Sequence, residues 1–259
     1  MADQVVVGLL HPGEMGAAVA VQIRRNGHTV LWASAGRGPD TTARADEAGL
    51  SDVGPIEELV AGSDVVLSVC PPHAALAVAR SVGGFRGLYV DANAVSPATS
   101  REIARLIEEG GGRFVDGGIV GPPPREGART RLYLSGQAAI DVARLFEGTL
   151  VDARVVSGEP GTASAVKMAY AAWTKGTAAL VLAIREVARA EGVEEPLLAE
   201  WRESIPDLPD RSERAARAAD AKGWRWVAEM EEIASTFEAA GLPGGFHEAA
   251  AEVYRKYER

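Results

Sequence analysis

The chain has 259 residues, of which 47% are hydrophobic, so it can form one large domain or two smaller ones around a substantial core. Its formal net charge of −9 argues against a nucleic-acid partner, which would require a basic surface, and its single cysteine, Cys70, excludes a disulfide framework. No apolar stretch reaches the roughly 18 residues that cross a membrane, and the N-terminus does not follow the pattern of a signal peptide. We therefore expect a cytoplasmic protein that does not contact a membrane.

The first 160 residues alternate short apolar runs with amphipathic segments. This alternation predicts βαβ units around a mostly parallel sheet, and runs such as DVVLSV are typical of strands buried on both faces. The predicted strands are Val5–Leu10, His28–Trp32, Asp64–Val69, Gly87–Asp91, Arg113–Asp116, Arg131–Ser135 and Arg154–Val156. The predicted helices between them include Ala17–Asn26 and Pro97–Glu109.

The rest of the chain has a helical pattern. From Thr162 to Glu191 only Gly176 interrupts a stretch rich in Ala, Leu and Val. A helix of this length, about 45 Å, generally links domains or packs in an oligomer. Further helices follow, with breaks predicted at Pro196, Pro206, Pro209, Gly223 and 241–245. We predict a Rossmann-type α/β domain over residues 1–160 and an all-helical substrate and dimerisation domain over residues 161–259, in a homodimer.

Residues 5–20, VVVGLLHPGEMGAAVA, have the pattern of a strand, a glycine turn and a helix that bind a dinucleotide. Gly13 and Gly16 hold the second and third glycine positions, and His11 replaces the first. Because His11 precedes a proline, we expect it to be extended with negative φ. The alternative is a strand–helix turn that binds nothing. The cofactor contacts predicted here are Leu10, His11, Pro12, Gly13, Glu14 and Met15.

The end of the second predicted strand indicates which cofactor binds. An acidic residue at this position favours NAD, whereas arginine and small hydroxyls accommodate the 2′-phosphate of NADP. The segment SAGRGPDTTAR carries no carboxylate directly after the strand and offers Ser34, Arg37, Thr41 and Arg44. We predict NADP(H) rather than NAD, with Ser34 and Arg37 as contacts. A polar surface loop is the alternative interpretation.

Four further segments occur in order: SVCPP (68–72), DANAVSP (91–97), VDGGIVGPPP (115–124) and GEPGTASAVKMAY (158–170). With the opening turn and AKGWRWVAEMEEIASTFEAAGLP near the C-terminus, the chain resembles the β-hydroxyacid dehydrogenase superfamily along its whole length. That superfamily includes 6-phosphogluconate and 3-hydroxyisobutyrate dehydrogenases and imine reductases. The nearest resemblance is to the branch with a 6-phosphogluconate-dehydrogenase-like NAD-binding domain.

The resemblance implies a Rossmann-type domain, a helical domain that exchanges contacts with a partner subunit, and an active site between the domains. Lys167 matches the catalytic lysine of the superfamily. Cys70, Pro71 and Pro72 would lie near the nicotinamide ribose. Asn93 would contact both cofactor and substrate. The other implied substrate contacts are Ala94, Ser96, Val120, Gly121 and Pro122.

Three of the superfamily's polar substrate contacts are absent or changed. Ala171 replaces an asparagine four residues after the lysine, and Val120 replaces the serine of a Ser-Gly-Gly segment. Ala228-Glu229 replaces a later Lys-Asp pair. These changes put a substrate held by its carboxylate in question, but they do not affect the cofactor prediction.

Lys167, Tyr170, Thr174 and Ala178 would share one face of the long helix. A lysine on a small, apolar face is unusual, and we interpret Lys167 as the proton donor, with Tyr170 as helper or alternative and Thr174 near the substrate. The alternatives are a lysine that reaches solvent and a tyrosine that only packs. Lys175 is expected to face solvent. No metal-ligand cluster occurs, so no metal site is predicted; the lone His73 and His247 are interpreted as structural or surface residues.

The sequence thus predicts an oxidoreductase that transfers hydride between NADP(H) and a small hydroxy or keto acid. The retained Lys167 favours this reaction, whereas the lost polar contacts favour the alternative, reduction of C=N by an imine reductase. A third hypothesis is a non-catalytic module that only binds NADP.

Overall fold

The computed structural model of the protein describes residues 4–257. The chain divides into two compact units, Met1–Lys167 and Met168–Arg259. The boundary lies inside a helix, Thr162–Ala171. No helix among the described residues is long and apolar enough to cross a membrane.

One mixed sheet organises the first unit. Its strands, numbered β1 to β8 along the chain, lie in the order β3-β2-β1-β4-β5-β6-β7-β8. Every neighbouring pair is parallel except β6 and β7. The strands are Val6–Leu10, Thr29–Trp32, Ser51–Asp52, Val65–Ser68, Leu88–Asp91, Arg113–Val120, Thr130–Ser135 and Val151–Val155.

The predicted Rossmann-type fold is confirmed, with three differences of more than one residue in the strands. β8 is Val151–Val155 rather than Arg154–Val156. β3 was not predicted, because it consists of two exposed polar residues that give no apolar run. β6 continues to Val120 rather than ending at Asp116. Its first half pairs with β5 and its second half pairs with β7, so the extension is hydrogen-bonded on the other side.

Both faces of the sheet are buried, as the continuous apolar runs predict. Val65 and Leu67 pack in one core cluster, whereas Val66 between them packs in another. The helices of this unit are α1 Glu14–Arg25, α2 Pro39–Glu47, α3 Ile56–Ala61, α4 Ala75–Ser81, α5 Pro97–Glu109 and α6 Ala139–Arg144. Helix α7, Thr162–Ala171, begins in this unit.

The second unit is helical. A π-helical segment, Ala172–Gly176, connects α7 to α8, so the predicted long helix is interrupted at the glycine but continues to Ala190. The later helices are α8 Thr177–Ala190, α9 Glu194–Ser204, α10 Leu208–Lys222, α11 Trp226–Ala239 and α12 Gly245–Arg255. Helix breaks were predicted at Pro196 and Pro209, but neither residue breaks a helix. They lie in the first turns of α9 and α10, where a missing N–H leaves no helical bond unmade.

Candidate active site

The carboxyl ends of the central strands form the edge at which parallel α/β sheets bind ligands. In the register, Leu10 at the end of β1 pairs with Ser68 of β4. Asp91 of β5 pairs with Ser68 on one side and with Asp116 of β6 on the other. The strand order reverses between β1 and β4. Residues that come one or two positions after these paired strand ends therefore lie at the same edge of the sheet.

The turn after β1 holds His11 in the left-handed region, with φ of +77°. The predicted negative φ is therefore wrong: His11 keeps the conformation that glycine usually supplies at this position. Histidine occurs there more often than most residues, although the conformation costs about 1–3 kcal/mol. The carbonyl of His11 accepts a hydrogen bond from the N–H of Gly13 at 2.8 Å, which tightens the turn.

The two glycines of this turn serve different needs. A Cβ at Gly16 would lie 2.6 Å from the carbonyl oxygen of His11, so the fold itself requires glycine there. A Cβ at Gly13 would have no neighbour within 4 Å, and Gly13 has an ordinary φ of −72°. The fold therefore does not require glycine at position 13. No side chain caps the N-terminus of α1, so its first N–H groups remain available to an anion. Space and donors together fit a dinucleotide pyrophosphate.

The surroundings of His11 favour its neutral form. Burial and the nearby positive charge of Arg37 lower the pKa of His11. Its Nδ1 atom is buried and has no hydrogen-bond partner among the described residues. Leu10 and Pro12 are buried beside it, Met15 is half-buried, and Glu14 is exposed. The imidazole is therefore neutral at neutral pH.

Arg37 and Arg44 follow the end of β2. A carboxylate that sequence analysis did not assign to this region, Asp52 of β3, lies beside it. Arg37 follows a turn closed by its N–H and the carbonyl of Ser34, at 3.0 Å. Arg44 of α2 donates to the carbonyl of Pro12 at 3.3 Å, which ties α2 to the glycine turn. Asp52 is next to Trp32 across the β2–β3 pair, and hydrogen bonds from Gly54 and Ser34 lower the pKa of its carboxyl.

Asn93 joins the ends of β4 and β5. Its Nδ2 donates to Ser68 and to Asp91, both at 3.0 Å, and its Oδ1 accepts the N–H of Cys70 at 2.6 Å. Both amide hydrogens are thus bonded within the protein, and the side chain is 3% exposed. Asn93 therefore fixes the position of the segment that follows Cys70.

The segment Cys70–Pro72 borders this edge of the sheet, and its cysteine is unreactive. Burial and the negative charge of Asp91 raise the pKa of the Cys70 thiol to about 12, so the nucleophilic thiolate is absent at neutral pH. Pro71 is exposed and Pro72 is half-buried at the start of a short 3₁₀ turn.

The predicted substrate contacts of the first unit differ in accessibility. Ser96 is buried and caps α5 by accepting the N–H of Thr99 at 3.2 Å. Ala94 is half-buried. Val120 is only 2% exposed, whereas Gly121 and Pro122 are exposed just beyond the end of β6. Gly121 has φ of +112°, and a Cβ there would lie 2.3 Å from the carbonyl oxygen of Arg129.

A buried carboxylate anchors the start of α7. Asp116, fully buried, accepts hydrogen bonds from Gly161 N–H (2.9 Å) and from both the N–H (2.9 Å) and hydroxyl (2.5 Å) of Ser164. The hydroxyls of Ser100 and Ser135 donate to the same carboxylate at 2.8 and 3.1 Å. Multiple donors of this kind stabilise a buried charge. They also fix the first turn of α7 against the sheet.

Lys167 follows Ser164 by one helical turn and lies against β6. A Cβ at Gly118 would be 2.8 Å from the carbonyl oxygen of Ala163 and 2.9 Å from the Cβ of Lys167. Gly118 is two positions beyond Asp116, as Asn93 is two positions beyond Asp91. The half-buried Lys167 is therefore positioned at the same edge of the sheet as the Cys70 and Asn93 segments.

The remaining predicted residues lie in the helical unit. Tyr170 is 45% exposed, and the hydroxyl of Thr174 donates to its carbonyl oxygen at 3.2 Å. The prediction that Lys175 faces solvent is wrong. Its side chain is 20% exposed, forms an ion pair with Glu229 and lies 5.7 Å from the centre of the Trp226 ring.

Residues 6–141 match the family model described as the NAD binding domain of 6-phosphogluconate dehydrogenase. The chain belongs to this family. Residues 188–257 match a second model, described only as a domain of unknown function, DUF1932. A protein of Methanothermus fervidus, described as an uncharacterized 28.5 kDa protein in the 7S RNA 5′ region, is 32% identical over 193 residues, which cover 74% of each chain.

Solved structures extend the likeness across both units. A conserved protein of unknown function, described as similar to 3-hydroxyacid dehydrogenases, is 30% identical, with 98% of this chain and 96% of that chain covered and a TM-score of 0.71. A 3-hydroxyisobutyrate dehydrogenase from Salmonella typhimurium is 16% identical, with 98% and 94% covered and a TM-score of 0.75. A reductive aminase from Aspergillus terreus in complex with NADPH and ethyl levulinate is 19% identical, with 98% and 93% covered and a TM-score of 0.61. The last two likenesses establish the fold alone.

Membership of the NAD-binding family of 6-phosphogluconate dehydrogenase makes the chain an NAD(P)-dependent oxidoreductase of the dehydrogenase and reductase type. Sequence analysis missed several residues that form its edge: Asp52, Asp116 and Ser164. Asp116 had a signal, because a carboxylate inside an otherwise apolar strand must be bonded. Asp52 had none, because a two-residue polar strand cannot be distinguished from a loop.

Proposed function

We propose that the protein is an NADP(H)-dependent oxidoreductase that interconverts the hydroxyl and carbonyl forms of a small acid, with Lys167 as proton donor and acceptor. One observation carries the proposal: Lys167 stands beside Gly118 at the edge of the sheet where the β1–α1 turn leaves room for a phosphate. A proton donor at the edge where the nicotinamide would bind is what reduction of a carbonyl group requires.

The cofactor would be held by residues of the first unit. The turn from Leu10 to Met15 would hold the pyrophosphate, with N–H groups of α1 as donors. Cys70, Pro71, Pro72 and Asn93 would border the nicotinamide end. When bound, the nicotinamide supplies or accepts the hydride.

The preference for NADP(H) rests on Arg37 and Arg44. Arg37 lies close enough to His11 and Cys70 to affect the pKa of both. A guanidinium group matches the charge and geometry of the 2′-phosphate of NADP. It gains much less from the neutral ribose hydroxyl that NAD has at the same position. Asp52 favours NAD, but its carboxylate already accepts from Gly54 at 2.8 Å and from Ser34. We therefore keep NADP(H) and assign its phosphate to Arg37.

In the reductive direction the ammonium group of Lys167 would donate a proton to the carbonyl oxygen as the carbon receives hydride. In the oxidative direction the neutral amine would take the hydroxyl proton. Asp116 and Ser164 hold the helix turn that carries Lys167. Fixed geometry of this kind lowers the reorganisation needed for proton transfer.

The first unit would offer the substrate Asn93, Ala94, Ser96, Val120, Gly121 and Pro122. Val120 and Ala171, at positions where relatives have serine and asparagine, are both buried and apolar. This favours a substrate with fewer polar groups than a β-hydroxy acid. The same observation supports the second candidate, reduction of a C=N bond, in which Lys167 or Tyr170 would supply the proton.

We also propose a homodimer. Large apolar side chains are exposed along α7, the π-helical segment and α8, each between 37% and 65% exposed: Tyr170, Trp173, Leu180, Ile184 and Val187. Exposed apolar side chains of this kind usually contact another surface. Light scattering at micromolar concentration should give the mass of two chains, and a stable monomer would refute the dimer.

The decisive experiment is a substrate panel with NADPH and NADH. Keto acids, their hydroxy acids, aldehydes and cyclic imines would be screened by cofactor absorbance. Turnover of a keto acid supports the first candidate, and turnover of imines alone supports the second. Tight NADPH binding without turnover of any compound would favour the non-catalytic module.

A further inference from the structure

We propose that a groove between α8 and α10 binds a small organic anion, a carboxylate or phosphate attached to an apolar body. The groove lies entirely in the helical unit and has a volume of about 440 Å³. This volume is within the range of small-molecule sites. The inference does not depend on the oxidoreductase proposal.

Two helix faces form the groove. Thr174, Thr177, Ala178 and Val181 recur at helical spacing on one side, and Arg211, Arg214, Ala215 and Ala218 recur at the same spacing on the other. The floor is therefore made of small apolar side chains, and the polar groups stand at its rim. An apolar body of a ligand would lie on this floor.

Three cations line the groove: Lys175, Arg211 and Arg214. None of its lining residues is acidic, although the chain carries a net charge of −9. Arg211 lies 3.6 Å from Asp207, an exposed pair that contributes little. Arg214 has no ion-pair partner among residues 4–257. The charge facing the groove is therefore positive.

Lys175 lines this groove from the π-helical segment. The π-helical segment changes the hydrogen bonding of the backbone there, and the hydroxyl of Tyr254 donates to the carbonyl oxygen of Lys175 at 2.8 Å. Glu229 pairs with the ammonium group, and the ring of Trp226 lies beside it and lines the groove. Glu229 does not line the groove, so a ligand meets the cation and the aromatic ring.

The hydroxyls of Thr174 and Thr177 donate to backbone carbonyls of Tyr170 and Trp173, so they offer acceptor oxygens rather than donors. Anion recognition is thus left mainly to the two guanidinium groups, because the ammonium group of Lys175 is already paired with Glu229. Planar guanidinium forks bind carboxylate and phosphate in pairs of hydrogen bonds. The groove therefore selects for an anionic head with an apolar or aromatic body.

Ligand-observed NMR on the full chain without cofactor tests the inference. The probes are 4-phenylbutyrate and phenyl phosphate, and the neutral analogue is 4-phenyl-1-butanol. The variant Arg211→Gln/Arg214→Gln removes the two charges from exposed positions. Arg217→Gln, exposed on the same helix but outside the groove, is the matched control.

We expect saturable binding of at least one anion and binding of the alcohol at least about tenfold weaker. The double variant should lose about tenfold or more in affinity, and Arg217→Gln should bind as the wild type does. The anion that binds with the higher affinity indicates which head group the groove prefers. The inference is overturned if neither anion binds at millimolar concentration, if the alcohol binds equally well, or if Arg217→Gln weakens binding as much as the double variant. Because cofactor is absent, a negative result leaves the oxidoreductase proposal intact.

Discussion

Two glycine-bearing regions meet at the carboxyl edge of the sheet, and they use glycine for opposite reasons. At the β1–α1 turn, Gly13 has no protein atom near its missing side chain. At the β6–α7 junction, Gly118 has the backbone of Ala163 and the Cβ of Lys167 within 3 Å of that position. One glycine leaves a space open, and the other lets two elements of the protein touch.

The difference separates binding from positioning. The open turn has uncapped helix N–H groups and nearby arginines, so it can receive an anion. The filled junction is held by Asp116 and its hydrogen bonds, so it presents Lys167 rigidly. Changes at the turn should therefore alter ligand affinity, whereas changes at the junction should alter turnover or stability.

The largest effect is expected for Lys167→Met, which keeps the stem and removes the amine. The variant should bind NADPH as the wild type does, while kcat falls by about 100- to 10,000-fold, the usual contribution of general acid–base catalysis. Steady-state kinetics and melting temperature are measured together.

Tyr170→Phe is the control for that experiment. If the tyrosine donates the proton, the loss of kcat moves to this variant and Lys167→Met stays active. A Lys167→Met protein with wild-type kcat and a lower melting temperature would assign the lysine to packing alone.

Arg37→Ala should lower the affinity for NADPH by about 10- to 100-fold and leave NADH binding nearly unchanged, because one charge-assisted pair is lost. Fluorescence titration of both cofactors measures the change. Asp52→Asn is the companion variant, and it should not weaken NADPH binding. Equal dissociation constants of the wild type for NADPH and NADH would rule out the phosphate role of Arg37.

Gly118→Ala tests the filled junction. Its new Cβ would clash with the backbone of Ala163, which is not a flexible group, so the free energy of unfolding should fall by about 1–3 kcal/mol. Chemical denaturation measures this change. Unaltered stability would mean that α7 can move away from β6, and that Lys167 is less firmly held than described.

The smallest expected effect is the loss of folding stability as the pH falls below neutrality. Burial lowers the pKa of His11 and of His247, so the unfolded chain binds more protons than the folded one below about pH 6.5. Stability is therefore full above that pH and is lost as pH falls, at no more than about 1.4 kcal/mol per pH unit for each histidine.

His11→Asn, which tolerates the left-handed backbone, should reduce that slope, and His247→Gln should remove the other contribution. Denaturation between pH 5 and pH 8 measures both slopes. A slope that neither variant reduces would assign the acid sensitivity to other groups.

The sequence allowed the Rossmann-type order, the long helix and the glycine turn to be predicted, because each depends on local patterns of apolar residues and glycines. It did not allow the conformation of His11 to be predicted. The rule for residues before proline favours an extended backbone, whereas in the structure φ is positive and the carbonyl of His11 packs closely on Gly16 and accepts the N–H of Gly13.

Long-range contacts account for the other failures. Lys175 was expected in solvent because helical spacing does not reveal Glu229, which is distant in the sequence. Nor did the sequence reveal that the amide hydrogens of Asn93 are bonded to Ser68 and Asp91, although its contact with the substrate stays a prediction. Periodicity identifies the face of an element, but the partner of that face depends on the tertiary fold.

The account is tested most directly by titration of NADPH into the wild type and into Gly13→Ala, with melting temperatures measured on both. A Cβ at Gly13 touches no protein atom and suits its φ, so stability should stay the same or rise slightly. If the open space belongs to the pyrophosphate, affinity for NADPH should fall by about tenfold or more. Wild-type affinity in Gly13→Ala, or a wild type that does not bind NADPH, would contradict the central claim that this turn holds the cofactor.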